Sequence, residues 1–191
     1  MAKSCCNKAC IVQGEKYRFS VLTPFMMRME YSETGVFEDL QTQTVLNREF
    51  PVPEYSVTQS DDRLEIETEA FHMIYDKKKF SEEGLFIDVK YDFTNYGGRW
   101  YFGAKTYSFP PREHNLRTLD RADGEVELEY GLMDKSGRTF FDDSKSFVFD
   151  EENMPSKRKH EEIDVYYLAY GRDYFACLRD FYKLSGAVPL L

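Results

Sequence analysis

Hydrophobic and polar residues alternate with a period of two through much of the chain, which is the pattern of β-strands that bury one face. The clearest run lies in residues 85–92, where Leu85, Ile87 and Val89 alternate with mostly polar neighbours. Residues 17–31 predict two strands that meet at Pro24, because proline cannot donate a hydrogen bond to a neighbouring strand. Further strands are predicted at 55–57, 64–68, 70–75, 126–130, 140–141, 147–149 and 163–170, with a short strand at 44–46.

Three segments depart from this alternation. Residues 36–53 carry two prolines and no sustained period, which predicts an irregular crossing. Residues 150–162 are charged and broken by a proline, so we expect a surface loop that is too polar to bury. The last segment has helical spacing between a good N-cap at Asp173 and a C-terminal signal at Gly186. Its predicted apolar stripe consists of Phe175, Leu178, Phe181, Tyr182 and Leu184.

Many short strands, frequent turns and one late helix predict a mainly β fold, an antiparallel β-sandwich with a single C-terminal helix. The length of 191 residues fits one domain. We divide the chain into a flexible lead-in (residues 1–14), the sandwich (residues 15–170) and a helix with a linker (residues 171–191). The end of the linker is apolar at Val188, Leu190 and Leu191, so we expect these residues to lie against a surface outside the sandwich.

Composition excludes several classes of function. The net charge of −9 argues against nucleic-acid binding, which needs Lys and Arg to neutralise phosphates. No apolar run reaches the roughly 18 residues of a membrane-spanning helix, and we expect no membrane partner. The first 14 residues lack the apolar region of a signal peptide, which predicts a cytoplasmic location.

The sequence predicts neither a cofactor nor a metal site. Three cysteines, Cys5, Cys6 and Cys10, crowd together near the N-terminus without a histidine among them, and Cys177 is distant. Zinc sites usually combine two spaced cysteine pairs or add histidine ligands. No glycine-rich phosphate loop or nucleophile elbow is present. We therefore expect reduced cysteines and no bound group.

The most distinctive polar element is the acidic run that follows the predicted strand 140–141. It reads Asp142-Asp143-Ser144-Lys145-Ser146, and binding residues often occupy loops of this kind at the end of a strand. A solvated loop closed by side-chain turns explains the same residues. A pair of glycosidase carboxylates can also be drawn from Asp142 or Asp143 with Asp120 or Asp123. A retaining enzyme needs such a pair about 5–5.5 Å apart, which sequence alone does not test.

Four segments in order resemble the amino-terminal domain of glycoside hydrolase family 31, which holds α-glucosidases and α-xylosidases. They read NLRTLD, DGEVELEYGL, SGRTFFDDSKSF and DVYYLAYGRDYFACLRDFYKLSGAVPLL. The resemblance is dense over residues 93–191. It implies a β-sandwich of the galactose-mutarotase-like kind, followed by a (β/α)₈ barrel whose two aspartates carry out retaining hydrolysis. Neither aspartate can be carried over to this sequence, so we expect a non-catalytic fragment of a hydrolase.

The resemblance also implies roles for this domain. It packs on the barrel, its main expected partner, and sends a loop to the rim of the pocket that takes an α-linked oligosaccharide. The best positional match for that loop is Asp142, Asp143 and Ser144. Residues 115–118 lack extra residues that many relatives carry, which leaves the shape of the neighbouring loop open. Without the barrel, we expect the apolar tail to favour a homo-oligomer.

Two other functions fit a sandwich of this kind. A carbohydrate-binding module would grip sugar with exposed aromatic residues such as Trp100, Tyr101 and Tyr107. A free-standing sugar mutarotase would need a glutamate base and histidine acids that converge on one face. The three histidines, His72, His114 and His160, are scattered along the chain, which argues against the mutarotase.

Overall fold

The computed structural model describes residues 4–90, 98–104, 113–114, 123–124, 129–130, 132, 137–150 and 152–186. These residues form a 3-10 helix at Lys8–Cys10, fourteen strands and one α-helix, α1 (Tyr174–Ser185). The strands are β1 (Ile11–Gln13), β2 (Tyr17–Thr23), β3 (Met26–Tyr31), β4 (Ser56–Gln59), β5 (Leu64–Glu67), β6 (Phe71–Tyr75), β7 (Leu85–Val89), β8 (Arg99–Tyr101), β9 (Glu113–His114), β10 (Glu129–Tyr130), β11 (Arg138–Asp142), β12 (Val148–Phe149), β13 (Pro155–Ser156) and β14 (Ile163–Ala169).

Two five-stranded antiparallel sheets make the sandwich. The first sheet has the order β1-β2-β3-β14-β11, and the second is the meander β4-β5-β6-β7-β8. Two further pairs, β9 with β10 and β12 with β13, lie outside these sheets. The predicted antiparallel β-sandwich with one C-terminal helix is confirmed.

The inner faces of the two sheets share one apolar core. Phe19 of β2 lies 5.2 Å from Tyr75 of β6, measured between ring centroids. Phe71 meets Tyr167 of β14 edge to face at 6.0 Å. Every second residue of β5, β6 and β7 points into this core, as the alternation predicts. Burial of such aromatic rings is the main source of sandwich stability.

The outer face of the first sheet is covered as well. All residues of β2 and β3 are buried, on both faces of the strands. A second apolar cluster lies on this outer face, where Val45 and Phe50 of the irregular segment and Leu184 of α1 pack on the sheet. The irregular segment 36–53 and the helix therefore act as a third layer on the first sheet.

The predicted strand at residues 44–46 does not form. Val45 lies in a turn in which its N–H donates to Thr42 Oγ1 at 2.9 Å. The N–H groups of Leu46 and Asn47 both donate to the carbonyl of Leu184 at the end of α1, each at 2.9 Å. The backbone groups of this segment are satisfied by a side chain and a helix terminus, so no strand partner is required.

The lead-in is more structured than the sequence suggests. The side chain of Asn7 accepts from Ala9 N and caps the 3-10 helix. Strand β1 then pairs with β2 through Ile11↔Ser20 and two further residue pairs. Cys10 is buried with 1% of its surface exposed. The expected boundary at residue 15 therefore separates two strands that belong to one sheet.

The helix has the predicted ends but a different buried face. Asp173 accepts from Ala176 N at 2.9 Å, and Gly186 takes a positive φ of 91°. The buried residues are Cys177, Asp180 and Leu184. Within the predicted stripe, only Leu184 belongs to this set, while Phe175 and Tyr182 are 87% and 42% exposed.

A buried hydrogen bond explains why α1 buries a different face from the predicted one. Asp180 Oδ2 accepts from the Tyr170 hydroxyl at 2.9 Å, and this hydroxyl also lies 3.2 Å from Thr23 Oγ1. A charged residue is therefore held on the inner side of α1, and two apolar side chains are left on its outer side. In the described residues, no helix is both long and apolar enough to span a bilayer.

Several predicted features lie outside the described residues. These are most of the strand at 126–130, the reversal at 134–136, residues 115–118, Tyr91, Asp120, Tyr107 and the apolar tail at 188–191.

Candidate functional site

The acidic loop follows β11 and returns the chain toward β12. Asp142, the last residue of β11, is exposed, and its Oδ1 accepts from the Ser144 N–H at 2.9 Å and from the Ser144 hydroxyl. The Ser144 hydroxyl oxygen in turn accepts from Asp164 N at 2.9 Å. The side-chain turn considered from the sequence is thus present, and it also ties the loop to β14.

Asp143 points into the protein. Its side chain is fully buried, and Oδ2 accepts from Thr42 Oγ1 at 2.8 Å and from Arg158 Nη2 at 3.2 Å. The backbone carbonyl of Asp143 accepts a further bond from Arg158 at 2.9 Å. Asp143 is therefore an anchor of the loop, while Asp142 and Ser144 are the members that reach the surface.

Asp143 belongs to a buried ion cluster on the outer face of the first sheet. We define the cluster as Arg18, Arg28, Glu30, Asp143, Arg158, Glu162 and Asp164. Strand register brings its centre together, because Arg18 pairs with Glu30 across β2 and β3, and Glu30 pairs with Asp164 across β3 and β14. Residues directly opposite one another on neighbouring strands are close enough for their side chains to interact.

Two bidentate pairs form the centre of the cluster. Arg28 donates to both oxygens of Asp164 at 2.8 and 2.7 Å, and Arg18 donates to both oxygens of Glu30 at 2.7 Å. Arg158 approaches from the loop and donates to Asp164 Oδ2 at 2.9 Å. Charged pairs in this fork geometry are short and directional, so the cluster fixes the loop relative to the sheet.

Burial and charge act in opposite directions within the cluster. Burial by itself raises the pKa of the Asp164 carboxyl, but the charge of Arg28 and its hydrogen bonds outweigh it and hold that pKa well below its usual value. Glu162 has the opposite balance. Burial, reinforced by the negative charge of Asp164, raises the pKa of Glu162 to about 7 despite its contact with Arg158.

Arg48 fastens the irregular segment over the same face. Its Nε donates to the Tyr166 hydroxyl at 2.7 Å, and its Nη1 donates to the carbonyls of Ser4 and Leu40 at 3.0 and 2.8 Å. Burial raises the pKa of the Tyr166 phenol, which therefore stays neutral as it accepts this bond. The lead-in, the irregular segment and β14 thus meet at one guanidinium.

The sequence interpretation missed the cluster. The loop at residues 150–162 was expected to be too polar to bury, yet the side chains of Arg158 and Glu162 are only 6% and 3% exposed. A signal does exist in the sequence. Arg28 and Glu30 occupy alternate positions on a strand whose opposite face is apolar, and Asp164 does the same on β14. Alternation alone predicts that such residues are solvent-exposed.

A cavity of about 560 Å³ opens beside the acidic loop. Ser144 and Lys145 line one side of it, and Arg158, His160 and Glu162 line another. A smaller cavity of about 310 Å³ is also lined by His160 and Glu162. Of the three predicted rim residues, Ser144 lines the larger space, which is large enough for a small ligand.

The residues suggested for other functions are dispersed. Trp100 is 3% exposed and packs in the core 5.1 Å from the Tyr167 ring, so it offers no sugar platform. Tyr101 is 40% exposed on β8. His72 lies on β6 with its Nε2 2.7 Å from Glu65 Oε2, whereas His160 is exposed on the loop beside the first sheet.

The described residues do not support a glycosidase pair formed by Asp142 or Asp143 with Asp123. Asp143 is committed to Thr42 and Arg158, and Asp123 is exposed in a separate segment. His114 lies on β9. No group of three or more His, Cys, Asp or Glu residues is arranged to hold a metal ion in the part of the chain that the structure describes.

The chain is similar to known proteins at the level of solved structures. No family model matches the sequence. No curated protein matches it either. Among solved structures, the chain is similar to a dextranase of glycoside hydrolase family 31 from Flavobacterium johnsoniae, in a mutant complexed with isomaltotriose and in a complex with glucose.

These matches have TM-scores of 0.46 and sequence identities of 16% and 14%. They cover 89% of this chain and 25% of each dextranase chain, so this chain spans a quarter of their length. They belong to the family that the sequence motifs resemble. A likeness at this level assigns neither an activity nor a substrate to this chain.

Proposed function

We propose that this chain is the non-catalytic amino-terminal domain of an α-glucosidase-like hydrolase of glycoside hydrolase family 31. Four motifs in the order of that domain support the assignment, and the two-sheet sandwich with one late helix is the architecture that the resemblance implies. The catalytic aspartates then reside in a (β/α)₈ barrel that follows this chain in the whole enzyme.

The observation that carries the proposal is the exposure of aromatic side chains on the outer side of α1. Phe175 is 87% exposed and Tyr182 is 42% exposed, and with Leu178 they fall on one side of the helix at helical spacing. Exposed aromatic residues that cluster on one face mark interaction surfaces. The barrel packs against this side of α1 and covers both rings.

The acidic loop has a second role in this proposal. Asp143 holds the loop in place through Thr42 and Arg158, and this leaves Asp142 exposed at the surface and Ser144 lining the cavity. A loop fixed in this way can present polar groups to a sugar without losing much conformational entropy on binding. Asp142 and Ser144 contribute to the rim of the pocket that takes an α-linked oligosaccharide.

The reading frame that follows codon 191 provides the first test. A continuing barrel supports the proposal, and a stop codon directly after Leu191 contradicts it. The barrel expressed separately should bind this chain, and Phe175→Ser with Tyr182→Ser should weaken that complex by about a hundredfold. Val57→Ser is the matched control, since Val57 is 43% exposed on β4 and should leave the complex unchanged.

Catalysis gives an independent readout. This chain alone should hydrolyse no p-nitrophenyl α-glycoside above the buffer rate. The carboxylates near the loop are either paired with arginine or exposed to solvent. The whole enzyme should hydrolyse it, with Asp142→Asn raising KM more than it lowers kcat. Turnover by this chain alone that disappears in an Asp142 variant would contradict a non-catalytic role.

A further inference from the structure

The cavity beside the acidic loop has an unusual charge for this protein. The chain carries a net charge of −9, yet the cavity is bordered by Lys79, Lys145 and Lys157. All three lysines are exposed, and none lies within ion-pair distance of a carboxylate in the part of the chain that the structure describes, although, in addition to the hydrogen bond from Lys16, the charge of Lys79 helps to lower the pKa of Glu33. Cations that border a concave surface attract a negatively charged ligand.

The carboxylates at the same cavity are mostly engaged elsewhere. Glu33 Oε2 lies 3.0 Å from Lys16 Nζ, and Glu162 pairs with Arg158 inside the ion cluster. Glu161 is the acidic lining residue without such a pair in the described residues. The three lysines therefore outnumber the acidic groups that are free to neutralise them.

The lysines come from three separate parts of the fold. Lys79 lies between β6 and β7, Lys145 lies in the acidic loop, and Lys157 lies between β13 and β14. Lysine acts as a flexible point charge, and a phosphate monoester, with a charge of about −1.5 to −2 and three acceptor oxygens, can engage several such charges, whereas a carboxylate carries a single charge. The arginine at this cavity, Arg158, is already committed to Asp143 and Asp164. The available groups thus fit a phosphate better than a carboxylate.

The cavity also offers an apolar wall. Phe147 is 40% exposed and lines it together with Tyr31 and Ile163. One side of a pyranose ring carries mostly C–H groups, and an exposed aromatic ring can cover that side while the hydroxyls remain in water. A volume of about 560 Å³ is sufficient for such a ring with a charged substituent.

We propose that this cavity binds a phosphorylated monosaccharide, with the phosphate held among Lys79, Lys145 and Lys157 and the sugar ring lying on Phe147. The ligand lies beside the acidic loop, so its occupancy also bears on the position of Ser144. This site goes beyond the domain role proposed above, which assigns no ligand to this domain on its own.

Isothermal titration of the whole chain tests the site with three probes: glucose 6-phosphate, glucose and inorganic phosphate. Because the lysines and the aromatic wall each contribute, glucose 6-phosphate should bind about tenfold more tightly than either of the other two. Its affinity should fall as salt is raised, since the lysines are exposed. Comparable affinity for glucose, comparable affinity for inorganic phosphate, or no heat with any probe would each overturn the proposal.

Variants of the lysines test the location. Lys145→Gln with Lys157→Gln should weaken binding of glucose 6-phosphate by about tenfold or more. Lys159→Gln is the matched control, because it removes the same charge from the same loop but lines the smaller cavity instead. Its affinity should stay within about twofold of the unmodified chain. Equal losses in the double variant and the control would indicate diffuse surface charge and would overturn the proposal.

A measurement on the unmodified chain covers the case in which a variant fails to fold. His160 lines the cavity, so its imidazole NMR signals should shift on addition of glucose 6-phosphate, with the same midpoint as the titration heat. His72 lies on β6 in the second sheet, and its signals should not shift. Shifts at both histidines, or at neither, would place the ligand elsewhere.

Discussion

The two sheets bury the same kind of inner face, but their outer faces differ in burial. In β6 and β7 of the second sheet, buried residues alternate strictly with half-buried ones. In β2 and β3 of the first sheet, every residue is buried. The alternation of residue types is similar in both sheets. It identifies the face that points to the core, and the segments that pass over the other face decide whether that face meets water.

Two arginine–aspartate pairs show the consequence at the level of side chains. Arg99 donates to both oxygens of Asp88 at 2.7 Å on the second sheet, with side chains 42% and 36% exposed. Arg28 donates to both oxygens of Asp164 on the first sheet at 2.8 and 2.7 Å, with side chains 2% and 0% exposed. The pairs have nearly the same geometry and differ in burial.

The largest expected effect comes from breaking these two pairs separately. Arg28→Ala should lower the free energy of unfolding by about 3–5 kcal/mol, because it removes both of its bonds to the buried Asp164, which keeps the bond from Arg158, and takes a cation from the buried Glu30. Arg99→Ala should cost about 1 kcal/mol or less, because water replaces the lost partner. Urea denaturation of both variants measures the difference. Similar losses in the two variants would show that the outer face of the first sheet is as well hydrated as that of the second.

A pH titration extends the comparison to Glu162 of the buried cluster. The free energy of unfolding should change by up to about 3 kcal/mol. The pKa of Glu162 is about 7 in the folded protein, above its usual value of 4.5, so the folded state keeps a proton that the unfolded chain releases between these values. This contribution is present below about pH 4.5 and is lost as the pH rises through 7. The free energy of unfolding should therefore fall between pH 5 and pH 8.

Glu162→Gln removes the titrating group and should flatten this dependence. Asp164 provides a contrast, because its pKa is lowered and its stabilisation is present above its usual value of 3.8 and lost only as the pH falls further. Denaturation curves at several pH values separate the two. An unchanged slope between pH 5 and pH 8 in Glu162→Gln would assign the titration to another residue.

The smallest expected effect concerns one hydroxyl. Tyr166→Phe should cost about 1–2 kcal/mol, since it leaves Nε of the buried Arg48 without its acceptor. Tyr55→Phe is the matched control, because its hydroxyl donates to the Ala9 carbonyl at the same distance of 2.7 Å but in an exposed position. That variant should lose about 0.5 kcal/mol. Thermal melts of both variants provide the measurement, and a larger loss in Tyr55→Phe would contradict the burial argument.

Local signals in the sequence predicted the elements well. Asp173 caps α1 and Gly186 ends it, as their residue types indicate. The turn at Pro24 separates β2 from β3, and alternation correctly assigns the inner face of β5, β6 and β7. These features depend on neighbours a few residues away, so the chain specifies them without long-range contacts.

The two aspartates of the acidic loop differ in orientation. The loop follows β11, and Ser144 lines a cavity there, while a role of Asp142, Asp143 and Ser144 at a substrate pocket stays a prediction. Asp143 has the same side chain as its neighbour, yet it is buried because Thr42 and Arg158 meet it from distant parts of the chain. Nothing in the local run distinguishes the two aspartates.

The sequence by itself determined the strand pattern, the two ends of the helix and the face of each sheet that forms the core. The tertiary structure decided which polar face is covered, which side of α1 is buried and which aspartate of the loop points inward. The reason is the separation of the partners: Arg28 and Asp164 are 136 residues apart, and Thr42 and Asp143 are 101 apart. Whether a charged side chain is solvated or paired depends on such contacts, which exist only after the layers have packed.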